Sequence, residues 1–281
     1  MDQMQFTNIT DRALKVTVGA AEICAWKLSS RELVLIDTGT VASPELLDLL
    51  SESNMEVRAI IQTHLHIDHI ANNDALVQKY GAGVYACEPE LPDAAFSGRT
   101  FDYPIITNRE DEPILIDGQR FETVFTPGHT EGHQMIVTPD GLCCLGDVMM
   151  TLGRLKTAKI PFMRDVTQSL LSLERVRETD YPLYLAAHRG MVPKELLSKT
   201  VDANIEIELR LYELLKSLVT GPVLQPVLEE RFMRAAGLTS PRVMAFRFMH
   251  ITCDARIHEL VNAGELHFEG EFVCPGPEAS I

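Results

Sequence analysis

The sequence has no Cys-x-x-Cys pair, no excess of positive charge, no apolar stretch long enough to span a bilayer and no evident internal repeat. Each absence removes a class of protein. Without paired motifs, Cys24, Cys87, Cys143, Cys144, Cys253 and Cys274 read as buried free thiols of a reducing cytoplasm, not as disulfides or a sulfur-ligated zinc site. A formal net charge of −15 opposes broad binding to nucleic acid. The first ten residues lack a basic segment followed by an apolar run, so no signal peptide is expected. No membrane span is expected either. What remains is a 281-residue chain with 46% hydrophobic residues, enough for one large soluble domain or a medium one with a small one.

Against that background one stretch stands out. Thr63-His64-Leu65-His66-Ile67-Asp68-His69 crowds histidines and an aspartate between an apolar run, Val57–Ile61, and a helix-like run, Asn72–Tyr80. A strand end that turns into a helix and carries imidazoles and a carboxylate suits a borderline metal such as zinc. Asp37 ends an earlier strand, Glu32–Ile36, and reads both as turn chemistry and as a carboxylate that braces the metal loop by hydrogen bonds.

The chain order supports an α/β layering. Thr17–Trp26 and Glu32–Ile36 read as strands, Ser43-Pro44-Glu45 as a helix start, and Val84–Cys87 as a further strand after Gly81. Glu88–Pro113 breaks the pattern with Pro89, Pro92, Pro104 and Pro113 and reads as an irregular segment. Its Phe96, Phe101 and Tyr103 suggest a substrate wall. Two hairpins follow, around Asp117-Gly118 and Asp140-Gly141, and they deliver His129, His133 and Asp147. A helix over Thr167–Glu178 and a strand over Leu183–Ala187 lead to His188. Between Asp147 and Asp165 lie Arg154, Lys156, Lys159 and Arg164 without an acid. They form either a basic mouth for a carboxylate or phosphate, such as the arm of a coenzyme A or carrier protein, or a solvated loop.

From about Pro193 helical patterns dominate. Val201, Ile205, Leu209, Tyr212, Leu215 and Leu218 trace one stripe, Val223–Ala236 a second helix, and Ser240 to about Ala263 a third. Gly264–Val273 reads as a β-ribbon and Pro275–Ile281 as a loose tail. The expected division is 1–193 and 194–281.

The motifs THLHIDH, TPGH, GD and AAH, in this order, make the sequence resemble the metallo-beta-lactamase superfamily over roughly residues 14 to 192. The resemblance implies an α/β fold, an αβ/βα four-layer sandwich with the site at one edge of two mixed sheets. It implies two divalent ions, zinc first, with iron or manganese also allowed by the nitrogen and oxygen donors. His64, His66 and His129 would hold the first ion, Asp68, His69 and His188 the second, and Asp147 would bridge them. Such a pair, about 3.5–4 Å apart, brings the pKa of a shared water close to neutrality. Asp68 would also pass a proton to the leaving group, and His133 would support the ligands or touch substrate. The last motif reads Ala186-Ala187-His188-Arg189-Gly190 where the family usually has Pro-Gly-His-Gly. His66 stands where the flavodiiron branch has a glutamate.

The C-terminal part is similar to a small winged-helix-like domain carried by some members. With nine Lys or Arg against thirteen Asp or Glu over 194–281 it is expected to wall the cleft or to make a homodimer contact rather than to read nucleic acid. The function implied is cleavage of a thioester, ester or lactone of a small anionic substrate, as in the glyoxalase II-like group. Met150 stands where lactone hydrolases of this fold have a tyrosine. The alternatives are a phosphodiesterase or endoribonuclease, a mononuclear iron persulfide dioxygenase, and a regulatory protein.

Overall fold

The computed structural model describes residues 4–96, 99–244 and 247–276, except the side chains of Asp93 and Phe96. The chain opens with β1 (Thr7–Asn8), β2 (Ala13–Val18) and β3 (Ala21–Lys27). The run expected as one strand from Thr17 to Trp26 is a hairpin. Gly19 takes φ 68°, the chain reverses at Gly19-Ala20, and β2 pairs antiparallel with β3. Next come β4 (Glu32–Ile36), α1 (Pro44–Glu52), β5 (Glu56–Ile61), α2 (Ile67–Ile70), α3 (Asn73–Tyr80), β6 (Gly83–Cys87), α4 (Glu90–Phe96) and β7 (Ile105–Asn108). Among the described residues β1 to β7 form one sheet in sequence order, parallel from β4 onward.

The segment expected to be irregular therefore holds a helix and an edge strand. Its prolines permit both. Pro92 lies in the first turn of α4, where an amide has no intrahelical partner, and Pro104 just precedes the edge strand β7.

The second sheet comprises β8 (Ile114–Ile116), β9 (Gln119–Phe125), β10 (Gln134–Val137), β11 (Leu142–Gly146), β12 (Leu183–Ala186) and β13 (Gly190–Val192), in the order β13-β12-β11-β10-β9-β8. The helices α5 (Leu152–Leu155) and α6 (Val166–Arg177) lie between β11 and β12, which pair in parallel. The two-residue alternation of the strands sorts the apolar side chains into layers. Trp26, Ile36 and Ile61 of the first sheet meet Phe121, Ile136 and Leu185 of the second in one core. The outer face of the first sheet packs on Leu46 and Leu50 of α1 and Leu76 of α3. That of the second packs on Leu173 and Val176 of α6. The result is helix, sheet, sheet, helix.

The C-terminal part has a 3-10 turn at Lys194–Leu196, then α7 (Leu197–Ser217), β14 (Val223–Leu224), α8 (Gln225–Ala235), α9 (Pro241–Met244), α10 (Arg247–Asn262), β15 (Leu266–Glu269) and β16 (Phe272–Pro275). Val223-Leu224 does not begin a helix as expected. It forms the third strand beside the ribbon, in the order β14-β16-β15. The expected stripe on α7 is also displaced. Leu209 is 57% exposed, and the buried face runs through Val201, Asn204, Glu208, Leu211 and Leu215. The two polar residues turn inward because each has a partner there. The start of α7 packs with α6 on the sandwich, whereas Leu211 and Leu215 pack with Phe232 and Ile257. Elements on either side of residue 193 therefore touch where α6 meets the start of α7. Residues 277–281, most of the expected loose tail, lie outside the described residues.

All six cysteines are free and buried. No helix among the described residues is long and apolar enough to cross a membrane.

Candidate metal centre

The ends of β4, β5, β9, β11 and β12 lead into the loops that carry Asp37, His64 to His69, His129, Asp147 and His188. Two groups of donor atoms result, His64 with His66 and His129, and Asp68 with His69, Asp147 and His188. In the first group His66 Nδ1 stands 3.1 Å from His64 Nε2 and 3.0 Å from His129 Nε2.

Hydrogen bonds fix which nitrogens carry protons. Thr63 Oγ1 donates to Asp37 Oδ2, so it accepts from His64 Nδ1 at 3.1 Å, which leaves His64 Nε2 as a bare lone pair. His129 Nδ1 donates to the Phe162 carbonyl at 3.2 Å, which leaves its Nε2 bare as well. The two bare nitrogens converge beside His66 Nδ1, an arrangement that a proton on His66 or a cation among the three satisfies. Ligand nitrogens on one zinc-sized ion stand about 3.3 Å apart, close to the spacing seen.

The second group is built the same way. His69 Nδ1 donates to Asp37 Oδ2 at 2.8 Å, and its buried Nε2 has no hydrogen-bond partner. His188 Nδ1 donates to the Ala20 carbonyl at 3.1 Å and turns Nε2 toward Asp68 Oδ2, 3.7 Å away. Asp147 stands between the groups. Its Oδ2 is 3.7 Å from His129 Nε2 and 3.6 Å from His188 Nε2, and its Oδ1 is 3.6 Å from His69 Nε2. The donor set fits two divalent cations that share Asp147.

The electrostatics differ between the groups. Burial, reinforced by neighbouring imidazoles, holds His64 and His66 well below the ordinary histidine range, so both are neutral, as ligands must be. Burial likewise lowers His129, and Asp147 only partly offsets it. In the second group burial opposes a charge on His69, but Asp37 and Asp147 outweigh it and raise its pKa. The carboxylates of Asp147 and Asp68, facing its Nε2, raise His188 to about 10. Burial pushes Asp68 up, yet His188 brings it down to about 2. These carboxylates draw positive charge, as protons or as a cation.

His133 is buried outside both groups. Its Nε2 accepts the Asp147 N–H at 3.0 Å, and its Nδ1 donates to Thr126 Oγ1 at 2.9 Å. It therefore positions Asp147 through the backbone. Gly146 must be glycine here. It takes φ 55°, and a Cβ would lie 2.6 Å from His133 Nε2 and 2.8 Å from Thr63 Oγ1. Gly128 of the TPGH motif takes φ 124° with a virtual Cβ 2.3 Å from Ser169 N.

Other expected residues disperse. Of the basic run, Arg154 lines the cavity beside the donors, while Lys159 packs near Gly237 and Arg164 reaches Glu131 at 3.7 Å. Lys156 is exposed and does not line the cavity. Phe101 packs against the core around Leu65 and Ala86, and Tyr103 joins the layer between α3 and the first sheet, so neither walls the cavity. The Phe96 side chain lies outside the described residues.

Sequence reasoning missed Glu90 and Asn204. Buried Glu90 accepts from Leu65 N at 2.8 Å and Gly132 N at 2.9 Å, and from Thr130 Oγ1, so it ties the His64–His69 loop to the His129 loop. Burial raises its pKa despite those bonds. Only its place in an unassigned segment marked it. Asn204 was concealed because a polar residue on the buried face of a helix breaks the apolar period.

The donors open into a cavity of about 500 Å³. Met149, Met163, Phe162, Ile160, Phe248 and Met249 supply most of its apolar wall. Phe162 and Phe248 stand edge-on to His66, at 5.3 and 5.4 Å between ring centres.

A four-layer sandwich with paired His and Asp groups at one edge defines a metal-dependent hydrolase fold. The family model of the metallo-beta-lactamase superfamily matches residues 27–188, and the chain belongs to that superfamily. Among its relatives is a hydroxyacylglutathione hydrolase of Serratia proteamaculans (strain 568), 29% identical over 196 residues, 64% of this chain and 71% of that protein. Another, named "Probable polyketide biosynthesis zinc-dependent hydrolase PksB", from Bacillus subtilis (strain 168), is 29% identical over 124 residues, 44% of this chain and 52% of that protein. The fold is shared with a metallo-beta-lactamase family protein of Thermus thermophilus, with TM-score 0.72 and 17% identity over 94% of this chain and 97% of the other. A beta-lactamase domain protein of Burkholderia ambifaria gives TM-score 0.73 at 14% identity, over 96% and 93%. Coverage that high takes in C-terminal elements as well as the sandwich.

Proposed function

We propose that this chain is a dinuclear metal-dependent hydrolase that cleaves a thioester of a small substrate with an anionic leaving group. The observation that carries this reading is the convergence of ring nitrogens from His64, His66 and His129 in one group, and from His69 and His188 with Asp68 and Asp147 in a second, beside an apolar cavity. His64, His66 and His129 would hold one cation and Asp68, His69 and His188 the other, with Asp147 shared. Bound divalent ions supply a water of lowered pKa and a Lewis-acid contact for the acyl oxygen.

The chain's own residues do the rest. The water oxygen forms a bond to the acyl carbon, the carbon–sulfur bond breaks, and a proton must travel from the water to the sulfur. Asp68, at the rim with its carboxylate partly exposed, is the proton carrier. The Phe162 and Phe248 rings keep bulk water off the His66 side of the centre. Arg154 at the mouth is a cation for the leaving group. Thioester is chosen over ester or lactone because several relatives are named hydroxyacylglutathione hydrolases.

Elemental analysis paired with a screen of thioester, lactone and RNA substrates tests this. The expected result is about two zinc per chain with thioester turnover. His66→Ala should abolish turnover and keep the circular dichroism spectrum of the parent. One iron per chain with oxygen uptake, or turnover retained by His66→Ala, overturns the reading.

A further inference from the structure

We infer that the cavity is an acyl pocket built jointly by the loop over residues 156–165 and by α10, and that the acyl group it takes is a medium-length, unsubstituted chain. The inference rests on the proposed hydrolysis and names its substrate class.

Three observations carry it. The first is size. The cavity is about 500 Å³. At about 30 Å³ for a group the size of a water or a methylene, it holds roughly 17 such groups, and with the donor end and the mouth taken up by the thioester and its surroundings there is room for an acyl chain of about six to ten carbons. A short hydroxy acid would leave most of it unfilled.

The second is the lining. Ile160 and Met163 come from the loop, and Phe248 and Met249 from the first turn of α10. With Met149 they present carbon and thioether sulfur, surfaces that adapt to a flexible chain.

The third is the fate of the polar groups in the same wall. The Asn204 side chain is taken up by the Met150 backbone, and Glu208 Oε2 accepts from Arg256 at 2.6 Å. Ser169 Oγ and Glu208 Oε1 have no partner, but each exposes less than 1 Å². A substrate hydroxyl in the pocket could not reach either atom without displacing its neighbours, and would lose its hydration for nothing.

Position then decides which end of the substrate enters. Phe162 lies 5.1 Å from Phe248, and both rings lie against His66. An acyl carbon at the donor cluster therefore continues directly into the apolar space. The leaving group stays at the exposed mouth with Arg154 and Ile67.

Two series on the holoenzyme test this, one reading turnover and one reading binding. Thioesters of a single thiol with acyl chains from two to twelve carbons give kcat/KM. Titration calorimetry with the free straight-chain carboxylates gives affinity without turnover. Each added methylene should raise both by about fourfold until the pocket is filled. Phe248→Ala should flatten the slope, and Met249→Trp should move the plateau to chains shorter by two carbons or more. Affinity that does not change from acetate to octanoate overturns the pocket, and so does a 2-hydroxyacyl thioester preferred to the matching plain acyl. Flat binding with intact thioester turnover would remove the pocket and keep the hydrolase. Chain-dependent binding with no thioester turnover would keep the pocket and remove the hydrolase.

Discussion

Asn204, in the first half of α7, holds both backbone groups of Met150. Its Oδ1 accepts the Met150 N–H at 2.9 Å, and its Nδ2 donates to the Met150 carbonyl at 2.8 Å. Met150 lies three residues after Asp147, so a helix of the C-terminal part clamps the loop that carries this candidate ligand. Asn204→Ala leaves two part-buried backbone groups without this partner, at a cost of about 1–2 kcal/mol. The expected result is a lower denaturation midpoint together with reduced kcat. Full activity at reduced stability would show that the clamp serves folding alone.

Asp37 takes φ 60° at the end of β4 and spends its carboxylate on Thr63 N, Thr63 Oγ1 and His69 Nδ1. Asp37→Ala frees the His69 ring and removes the acceptor that sets its tautomer. Metal affinity should fall by about 10–100-fold, the usual effect of losing such a support. Competition with a calibrated chelator measures it. An unchanged affinity would mean that Asp37 only shapes the turn.

Both residues bear on what the sequence made legible. The donors were readable because each sits at the end of an apolar strand, where period and motif coincide. Asp37 was readable for the same reason. His133 was read with its motif, but the other supports were not, because their partners lie far away in the sequence. Ala20 offers a carbonyl to His188 from a hairpin turn that was read as the middle of one strand. Asn204 and Glu90 are buried polar residues whose partners lie 54 and 25 positions away, and no local pattern announces such pairs. The cavity wall escaped notice for another reason. Phe248 and Met249 reach it from α10, far along the chain from the donors, whereas Phe101 and Tyr103 are near in sequence and pack elsewhere.

Arg154 and Lys156 separate two readings of the basic run. Only Arg154 lines the cavity. Arg154→Ala should raise KM for a thioester with an anionic leaving group by roughly fivefold, about 1 kcal/mol for a partly solvated charge-assisted contact. Lys156→Ala should leave KM alone. Equal effects of the two, or none, would restore the solvated-loop reading. The comparison needs a leaving group with and without its negative charge, since only the charged one should respond.

Arg189 follows His188 with φ 74°, a conformation that costs a side-chain-bearing residue about 1–2 kcal/mol. Gly190 next to it also has positive φ, 82°. The turn geometry of a glycine-containing motif is thus kept without the glycine at position 189. Arg189→Gly should stabilise the protein by up to about 1 kcal/mol, since the relief is partly offset by the greater backbone entropy of glycine. Urea denaturation reads the change, and a loss of stability would mean that the Arg189 side chain does more than occupy the turn.

Glu208 and Arg256 test how the cavity is held shut from behind. Their side chains are 3% and 1% exposed and meet at 2.6 Å between α7 and α10. Arg256 also donates to the Thr252 carbonyl at 2.8 Å and to the Pro161 carbonyl at 3.0 Å, in the loop that supplies Ile160, Phe162 and Met163 to the cavity. Burial raises the Glu208 pKa, and Arg256 opposes that rise. Arg256→Ala therefore strands a carboxylate in the interior and leaves the Pro161 carbonyl without this donor. The expected loss is about 3–5 kcal/mol, seen as a drop in the urea midpoint. Replacing both residues together, Glu208→Leu with Arg256→Met, removes the stranded charge and should recover most of that loss. The double variant should still show a changed acyl-chain profile, because the loop over Pro161 loses the Arg256 donor and is left tied to α10 through Thr252. Recovery of stability with an unaltered profile would mean that apolar packing alone shapes the pocket and that the ion pair serves only to close the interior.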